Sequence, residues 1–168
     1  MANLKDCTKW NIHDDFYTRK QSWEQIQQYI PNDKVIWEFC LLNSNEQSKT
    51  YLQELGFNVV GDKTIDFFKH NLGEVLVSNI PFSTDLKQRM LRRLIELDKP
   101  FIIIMNSMNL FSKYFKEIFE GKDIYFIYPS SKINYDKYID DKLVATKNNT
   151  SFYSIYVCYK IINKNVWI

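Results

Sequence analysis

Short, mostly apolar runs alternate along this chain with amphipathic stretches, a pattern that predicts strands and helices in turn. The runs lack the strict polar alternation of a strand with one face in water. They predict strands at Val35–Cys40, Phe57–Val60, Glu74–Ser78, Phe101–Met105 and Ile124–Tyr128.

The stretches between these runs carry apolar residues at helical spacing, and each begins with a polar residue suited to capping. They predict helices that start at Ser22 and stop at Pro31, that run from Asn45 to Leu55, and that begin at Ser83 or Thr84 and reach Leu97. A fourth helix, ending at Gly121, is predicted to turn five side chains inward: Met108, Phe111, Phe115, Ile118 and Phe119.

Strands that are apolar on both sides, alternating with helices, are typical of a parallel sheet covered on both faces. We therefore expect an α/β fold: a three-layer, doubly wound, mostly parallel sheet. The pattern breaks into a polar segment over 129–150, and Phe152–Ile162 then forms a long apolar run. Because no crossover helix precedes this last strand, we expect it to enter antiparallel, beside Ile124–Tyr128 or Lys132–Tyr135.

Composition narrows the class of protein. The length of 168 residues fits one domain, which we place at 16–168 behind a polar leader at 1–15. The net charge of +2 permits nucleic-acid binding through a local patch without requiring it. Three scattered cysteines, no signal peptide and no apolar run long enough for a bilayer favour an intracellular protein that is neither secreted nor membrane-bound.

Most familiar catalytic patterns are absent from the sequence. It has no Gly-x-Gly-x-x-Gly, no phosphate-binding loop and no His-Glu-x-x-His, and its two histidines, His13 and His70, lack metal-ligand spacing. We therefore expect no metal site. The loop Asn79-Ile80-Pro81-Phe82 remains, directly behind a predicted central strand, where α/β sheets bind ligands.

The loop offers groups that suit chemistry on an exocyclic amine. The side-chain oxygen of Asn79 and the main-chain carbonyl of Ile80 are two acceptors for two N–H bonds, and Phe82 offers a ring for stacking. Pro81 restricts Ile80 to extended conformations and so helps to fix its carbonyl. A plain turn at a strand end, where Asn and Pro are both common, explains the same four residues.

The loop resembles the Asn/Asp-Pro-Pro-Tyr/Phe signature of S-adenosylmethionine-dependent amino-methyltransferases, with Ile80 in place of the first proline. Four further segments are similar to motifs of small viral and phage-type adenine-specific DNA methyltransferases. They are Asp15-Phe16-Tyr17-Thr18 with Trp23, Trp37-Glu38-Phe39, Ile65-Asp66-Phe67-Phe68, and Lys132-Ile133-Asn134-Tyr135.

This resemblance implies a Rossmann-like methyltransferase fold that transfers a methyl group from S-adenosylmethionine to adenine N6 in DNA. It implies that Asn79, Ile80, Pro81 and Phe82 act on the base. It implies a location in the cytoplasm, viral factory or virion of an infected host. The cofactor-binding residues that it implies are Tyr17, Thr18, Glu38, Asp66 and Phe67.

Departures from the family pattern keep alternatives open. Arg19 and Ile80 replace prolines, and Leu41–Ser44 contains none of the glycines expected there. A methyltransferase fold that has lost catalysis and binds nucleic acid or another partner is one alternative. Methylation of RNA or of a protein glutamine is another. Glu38 and Asp66 also suit simple turn caps, and Phe67 suits the core.

Charged residues add two further expectations. Asp62, after the second strand, suits ribose hydroxyls of a cofactor. Basic residues on the solvent side of the helix behind the loop, together with lysines of the polar segment, suit phosphates, although a solvated helix face and a charged loop are the more common explanation for any single one of them. They are Lys87, Arg89, Arg92, Arg93, Lys132, Lys137, Lys142 and Lys147.

Overall fold

The structure, a computed structural model, describes residues 16–41, 46–139, 142–145 and 150–168. The predicted leader at 1–15, most of the glycine-free loop and Lys147 lie outside these residues. The helices are α1 (Lys20–Glu24), α2 (Gln47–Glu54), α3 (Thr84–Leu97) and α4 (Lys113–Phe119), with 3₁₀ turns at Gln27–Tyr29 and Ser107–Phe111.

Seven strands form the main sheet. They are β2 (Val35–Trp37), β3 (Asn58–Val60), β4 (Val75–Asn79), β5 (Phe101–Asn106), β6 (Ile124–Tyr128), β9 (Ser154–Tyr159) and β10 (Val166–Trp167). Their order across the sheet is β3-β2-β4-β5-β9-β6-β10. Neighbours are parallel except at β9, which runs antiparallel to both β5 and β6. The predicted α/β class, the mostly parallel sheet and the antiparallel late strand are therefore confirmed.

The core lies on both faces of this sheet, which makes three layers. Along β5, Phe101, Ile103 and Met105 pack with α3 and α4, whereas Ile102 and Ile104 pack on the opposite face with residues of α1 and α2. Alternate side chains of one strand point to opposite faces. A central strand must therefore be apolar throughout, which is the pattern in the sequence.

A second sheet of three strands has the order β1-β7-β8, with β1 at Tyr17–Thr18, β7 at Tyr135–Ile139 and β8 at Lys142–Ala145. Its strands β7 and β8 lie in the polar segment, where the sequence predicted no such pair of strands. The Arg19 guanidinium reinforces it through a 2.6 Å contact with the carboxylate of Asp136. Of the two partners predicted for the late strand β9, Ile124–Tyr128 (β6) is confirmed, and Lys132–Tyr135 does not pair with it. The second neighbour of β9 is β5, which the sequence did not predict.

Two predicted helices are shorter than expected. Ser22 lies inside α1, buried, and not at its start. The helix predicted around Met108 is interrupted because the side chain of Asn106 accepts a hydrogen bond from the Met108 N–H and that of Ser112 accepts one from the Phe115 N–H. Met108 and Phe111 consequently face solvent instead of the core, which corrects the predicted inward stripe.

Candidate functional site

The strand order creates a switch point between the ends of β2 and β4, where sheets of this kind have a crevice. After β2 the chain builds outward to the edge strand β3, and it then returns to place β4 on the other side of β2. Open α/β sheets bind ligands at such a switch point, beyond the carboxyl ends of the strands. Glu38 directly follows β2 and Asn79 ends β4, so two predicted site residues flank this crevice.

Glu38 is a buried carboxyl group, with only 2% of the residue exposed. The same carboxyl oxygen, Oε1, accepts two hydrogen bonds. One comes from the hydroxyl of Ser78, on β4, and the other comes from the N–H of Cys40 at 3.0 Å. Both bonds favour the carboxylate, but burial outweighs them and raises the pKa of Glu38 to about 7. The side chain therefore ties β2 to β4 across the crevice and changes charge near neutral pH.

Asn79 is oriented by a contact from outside the main sheet. Its amide nitrogen donates to the carbonyl of Phe16 at 3.3 Å. Its amide oxygen is buried and has no hydrogen-bond partner among the described residues. Since the nitrogen is engaged, the oxygen is the group presented as an acceptor. A buried acceptor without a donor is unfavourable by about 1–3 kcal/mol, a cost that a ligand donor would remove.

The loop after Asn79 is held at both ends. Ile80 is buried in the core, and its N–H donates to the carbonyl of Ile104 at 3.4 Å; Pro81 is also buried. At the other end, the ammonium group of Lys87 donates to the carbonyl of Phe82 at 3.0 Å. Lys87 is a residue of α3, but it is only 5% exposed. Its side chain therefore contacts the loop and does not lie on the solvent side of the helix, where the sequence placed it.

Phe82 is half-buried in a cluster of four rings, together with Phe16, Tyr135 and Phe152. Its ring centroid lies 5.1 Å from that of Phe16 and 5.0 Å from that of Phe152. The ammonium group of Lys137 lies 4.3 Å from the Phe16 centroid, over that ring. The ring predicted to stack on a base thus already contacts three others.

Tyr17 and Thr18 form β1, which the second sheet places beside the Asn79 loop. Thr18 pairs with Tyr135 in the ladder, and Tyr17 pairs with Asp136. The hydroxyl of Thr18 is buried and, like the amide oxygen of Asn79, lacks a hydrogen-bond partner in the described part of the chain. Two orphaned polar atoms therefore lie on segments that the Asn79–Phe16 bond joins.

Asp66 and Phe67 lie in the segment between β3 and β4. One carboxylate oxygen of Asp66 accepts from the N–H of Phe68 at 2.9 Å, and the other lies 3.5 Å from the ammonium group of Lys69. Phe67 is buried, and its ring stacks on that of Phe39 with centroids 4.3 Å apart. These contacts match the plain structural explanation of both residues, and through Phe39 they connect the segment to the end of β2.

Gly61, after β3, has a structural role that the sequence did not reveal. Its φ is +115°, and a Cβ there would lie 2.3 Å from the Glu38 carbonyl oxygen. Its own carbonyl accepts from the ammonium group of Lys49 at 2.7 Å. Asp62, predicted to bind ribose, accepts hydrogen bonds from the Thr64 hydroxyl and the Thr64 N–H, which lower its pKa. Contacts within the protein thus hold the chain at the end of β3.

Several of the basic residues predicted to hold phosphates make intramolecular contacts. The guanidinium of Arg89 lies 4.6 Å from the Phe68 ring centroid, and that of Arg93 contacts Glu96 at 3.3 Å. The ammonium group of Lys132 donates to the carbonyl of Thr150. The side chain of Lys142 is outside what the structure describes. Of the basic residues of α3, Lys87 is buried, whereas Arg89 and Arg92 are exposed.

Among the described residues, no three His, Cys, Asp or Glu side chains are arranged to hold a metal ion. Among those residues, no helix combines the length and the apolar character that crossing a bilayer requires. No family model and no curated protein matches this chain.

Sequence reasoning did not predict the roles that Ser78, Lys87 and Phe16 have in the site. Ser78 and Lys87 lie within nine residues of the loop, so their closeness in sequence was the available signal. The Phe16 carbonyl carried no signal, because its contact with Asn79 spans 63 positions and uses only the main chain.

Proposed function

We propose that this protein transfers a methyl group from S-adenosylmethionine to the N6 amine of adenine in DNA. The observation that carries the proposal is the amide of Asn79 at the switch point of the sheet. Its nitrogen is engaged by Phe16, and its buried oxygen lacks a donor among the described residues. The resemblance of the surrounding segments to adenine-specific methyltransferases supplies the reaction.

The loop would act by orienting the amine. The Asn79 oxygen and the Ile80 carbonyl accept its two N–H bonds, which draws the nitrogen lone pair out of conjugation with the ring and toward the methyl donor. The two ends of the loop are fixed at the Ile80 N–H and at the Phe82 carbonyl. Such positioning is the main contribution a protein makes to a direct transfer.

The cofactor would lie along the crevice between β2 and β4 and supply the methyl group. Thr18 fits this role because its hydroxyl is buried without a partner in the described chain. Glu38 fits because its carboxyl lies at the end of β2. Tyr17 would complete the site from β1, and Asp66 and Phe67 would complete it from the segment before β4. The contacts that these residues already make limit how far they can move.

The test is incorporation of N6-methyladenine into DNA incubated with the protein and S-adenosylmethionine, measured by mass spectrometry of hydrolysed nucleosides. We expect methylation by the wild type and a loss of at least about 100-fold in Asn79→Ala, in the range seen when one positioned polar group is removed from an active site. Asn163→Ala, an exposed asparagine in a bend, is the matched control and should retain activity.

The same assay separates the other substrates. RNA or a glutamine-containing peptide offered in place of DNA should remain unmodified. Methylation of either one, with DNA left unmodified, would overturn the choice of substrate while keeping the reaction. Absence of any methyl transfer, with Asn79→Ala indistinguishable from the wild type, would overturn the reaction itself.

A second function is favoured by the packing of Phe82. Its ring already packs with Phe16, Tyr135 and Phe152, which leaves less of the ring available for a base to stack on. A fold that has lost catalysis and binds nucleic acid or another partner would keep the cluster closed. Titration calorimetry with S-adenosylmethionine discriminates between the two: micromolar binding supports the enzyme, and absent binding with retained DNA affinity supports the binding protein.

A further inference from the structure

Three large side chains stand in solvent at the end of the sheet that carries the Asn79 loop. Met108 is 67% exposed, Phe111 84% and Tyr153 66%. Isolated exposed apolar residues are ordinary, but a group of them on a fixed frame marks an interaction surface. We call this group the Met108–Phe111–Tyr153 surface.

The frame beneath two of these residues is rigid. Met108 and Phe111 are three residues apart in a 3₁₀ turn, where side chains at that spacing eclipse and share one side. The Asn109 amide donates to the Asn106 carbonyl at 2.6 Å, and the Tyr114 hydroxyl donates to the Asn109 side chain at 2.5 Å. Side-chain bonds therefore hold the turn in a conformation that keeps Met108 and Phe111 out of the core.

Tyr153 joins the same surface through the main chain. Its carbonyl accepts from the Ser107 N–H at 2.8 Å, directly beyond the last pair of the β5–β9 ladder, Asn106 with Ser154. β5 is the neighbour of β4, and Asn79 pairs with Ile104 across that boundary. The surface therefore begins one strand away from the candidate site, at the same edge of the sheet.

Positive charge accompanies the rings. The ammonium group of Lys132 lies 5.1 Å from the Tyr153 ring centroid, over its face, and uses one of its three N–H donors for the Thr150 carbonyl, which leaves two for a phosphate. Lys113 and Lys116 are exposed in the helix that follows Phe111, where Glu117 approaches Lys113 at 3.6 Å. Rings with open faces beside lysines are the combination that binds unpaired bases by stacking and phosphates by charge.

We propose that the Met108–Phe111–Tyr153 surface binds single-stranded nucleic acid, with bases stacked on Phe111 and Tyr153 and phosphates beside Lys132 and Lys113. A protein partner is the less favoured occupant, because lysines stand beside the exposed rings of this surface. The idea that the bound strand leads to Asn79 rests on the proposed function. Binding of a strand at this surface does not depend on that function.

The test is fluorescence anisotropy with a labelled oligothymidine of about 12 nucleotides, within the usual site size of single-strand binders. Thymine carries no exocyclic amine, so this probe measures binding independently of methyl transfer. We expect Phe111→Ala and Tyr153→Ala each to weaken binding at least about fivefold, since stacking one base on a ring contributes about 1–3 kcal/mol. Binding should also weaken as salt rises.

Trp167→Ala is the matched control, because Trp167 is a similarly exposed aromatic residue, 78% exposed, on the outer strand β10. It should bind as the wild type does. Equal affinity of all variants and the wild type would overturn the proposal, as would a protein that binds no oligothymidine. Gel filtration supplies a further outcome: a dimer that Phe111→Ala converts to a monomer would assign the surface to a second copy of the chain and overturn it too.

Discussion

Glu38 and Ser78 are bonded across the switch point of the sheet, with the Ser78 hydroxyl donating to a carboxyl oxygen of Glu38 in the buried layer between β2 and β4. The two residues are 40 positions apart in sequence. The bond fixes the separation of the two strand ends between which a ligand would lie. It also places Glu38, the one buried carboxyl group among the described residues whose pKa shift is large, beside the residue that precedes Asn79 in β4.

Glu38 should make the stability of the protein depend on pH. Burial raises its pKa from 4.5 to about 7 in the folded state, so the folded protein keeps the proton to a higher pH than the unfolded chain does. The stability that this proton provides is fully present below pH 4.5 and is lost as pH rises through 7. Relative to Glu38→Gln, the wild type should lose about 3 kcal/mol of unfolding free energy over that interval.

Urea denaturation of both proteins between pH 4.5 and 8.5 measures this difference. Glu24→Gln serves as the control, because Glu24 is exposed on α1, and its curve should run parallel to that of the wild type. A Glu38→Gln curve that is also parallel to the wild type would show that Glu38 does not bind its proton more tightly on folding.

The main sheet was predictable because its strands are encoded locally. Runs such as Phe101–Met105 are apolar throughout since both faces are covered, and α3 begins at Thr84 and ends at Leu97 as its polar start and apolar stripe predict. The β1–β7 pairing was not predictable, because Tyr17 and Asp136 are distant in sequence and the strands are polar and short.

The candidate site divides in the same way. Asn79 and Glu38 could be located because each follows an apolar run, and the ends of parallel strands gather at one edge of a sheet. The bond to Ser78, the burial of Lys87 and the exposure of Phe111 depend on contacts that periodicity does not contain. Asn106 and Ser112 interrupt a helix that the apolar spacing alone would continue through Met108.

Gly61 should tolerate substitution much less than Gly56. Both have positive φ, +115° and +95°, so alanine strains the backbone at either position by about 1–2 kcal/mol. At Gly61 the new Cβ would also lie 2.3 Å from the Glu38 carbonyl oxygen, whereas at Gly56 nothing lies within 4 Å. We expect Gly61→Ala to lower the unfolding free energy by about 1–3 kcal/mol more than Gly56→Ala does, as measured by urea denaturation. Equal losses of unfolding free energy in the two variants would contradict the close approach of the Glu38 carbonyl oxygen to Gly61.

Tyr156 should contribute to stability through one buried hydrogen bond. Its hydroxyl donates to the Ser22 carbonyl at 2.6 Å and thereby ties β9 to α1. Tyr156→Phe leaves that buried carbonyl without its donor, so we expect a loss of about 1–3 kcal/mol of unfolding free energy. Tyr153→Phe removes a hydroxyl from an exposed ring and should change stability by less than about 0.5 kcal/mol. Similar losses in both variants would contradict the role of the Ser22 contact.

Lys87 should position the loop that we propose to be catalytic. Its ammonium group holds the Phe82 carbonyl at 3.0 Å, and the side chain is buried. In Lys87→Met the loop loses this contact, and small misplacements of reacting groups cost up to about 100-fold in rate. We therefore expect kcat for adenine methylation to fall about 10- to 100-fold while the KM for S-adenosylmethionine changes little.

Amide hydrogen exchange supplies a readout for Lys87 that does not depend on activity. Exchange at Phe82 and Ser83 should accelerate in Lys87→Met, because the loop opens more readily when its carbonyl is released. Lys87→Arg keeps a donor and a charge and should restore part of both measurements, whereas Lys164→Met, at an exposed lysine, should change neither. Unchanged exchange at Phe82 and Ser83 in Lys87→Met would show that other contacts hold the loop, and Lys87 would then be a packing residue only.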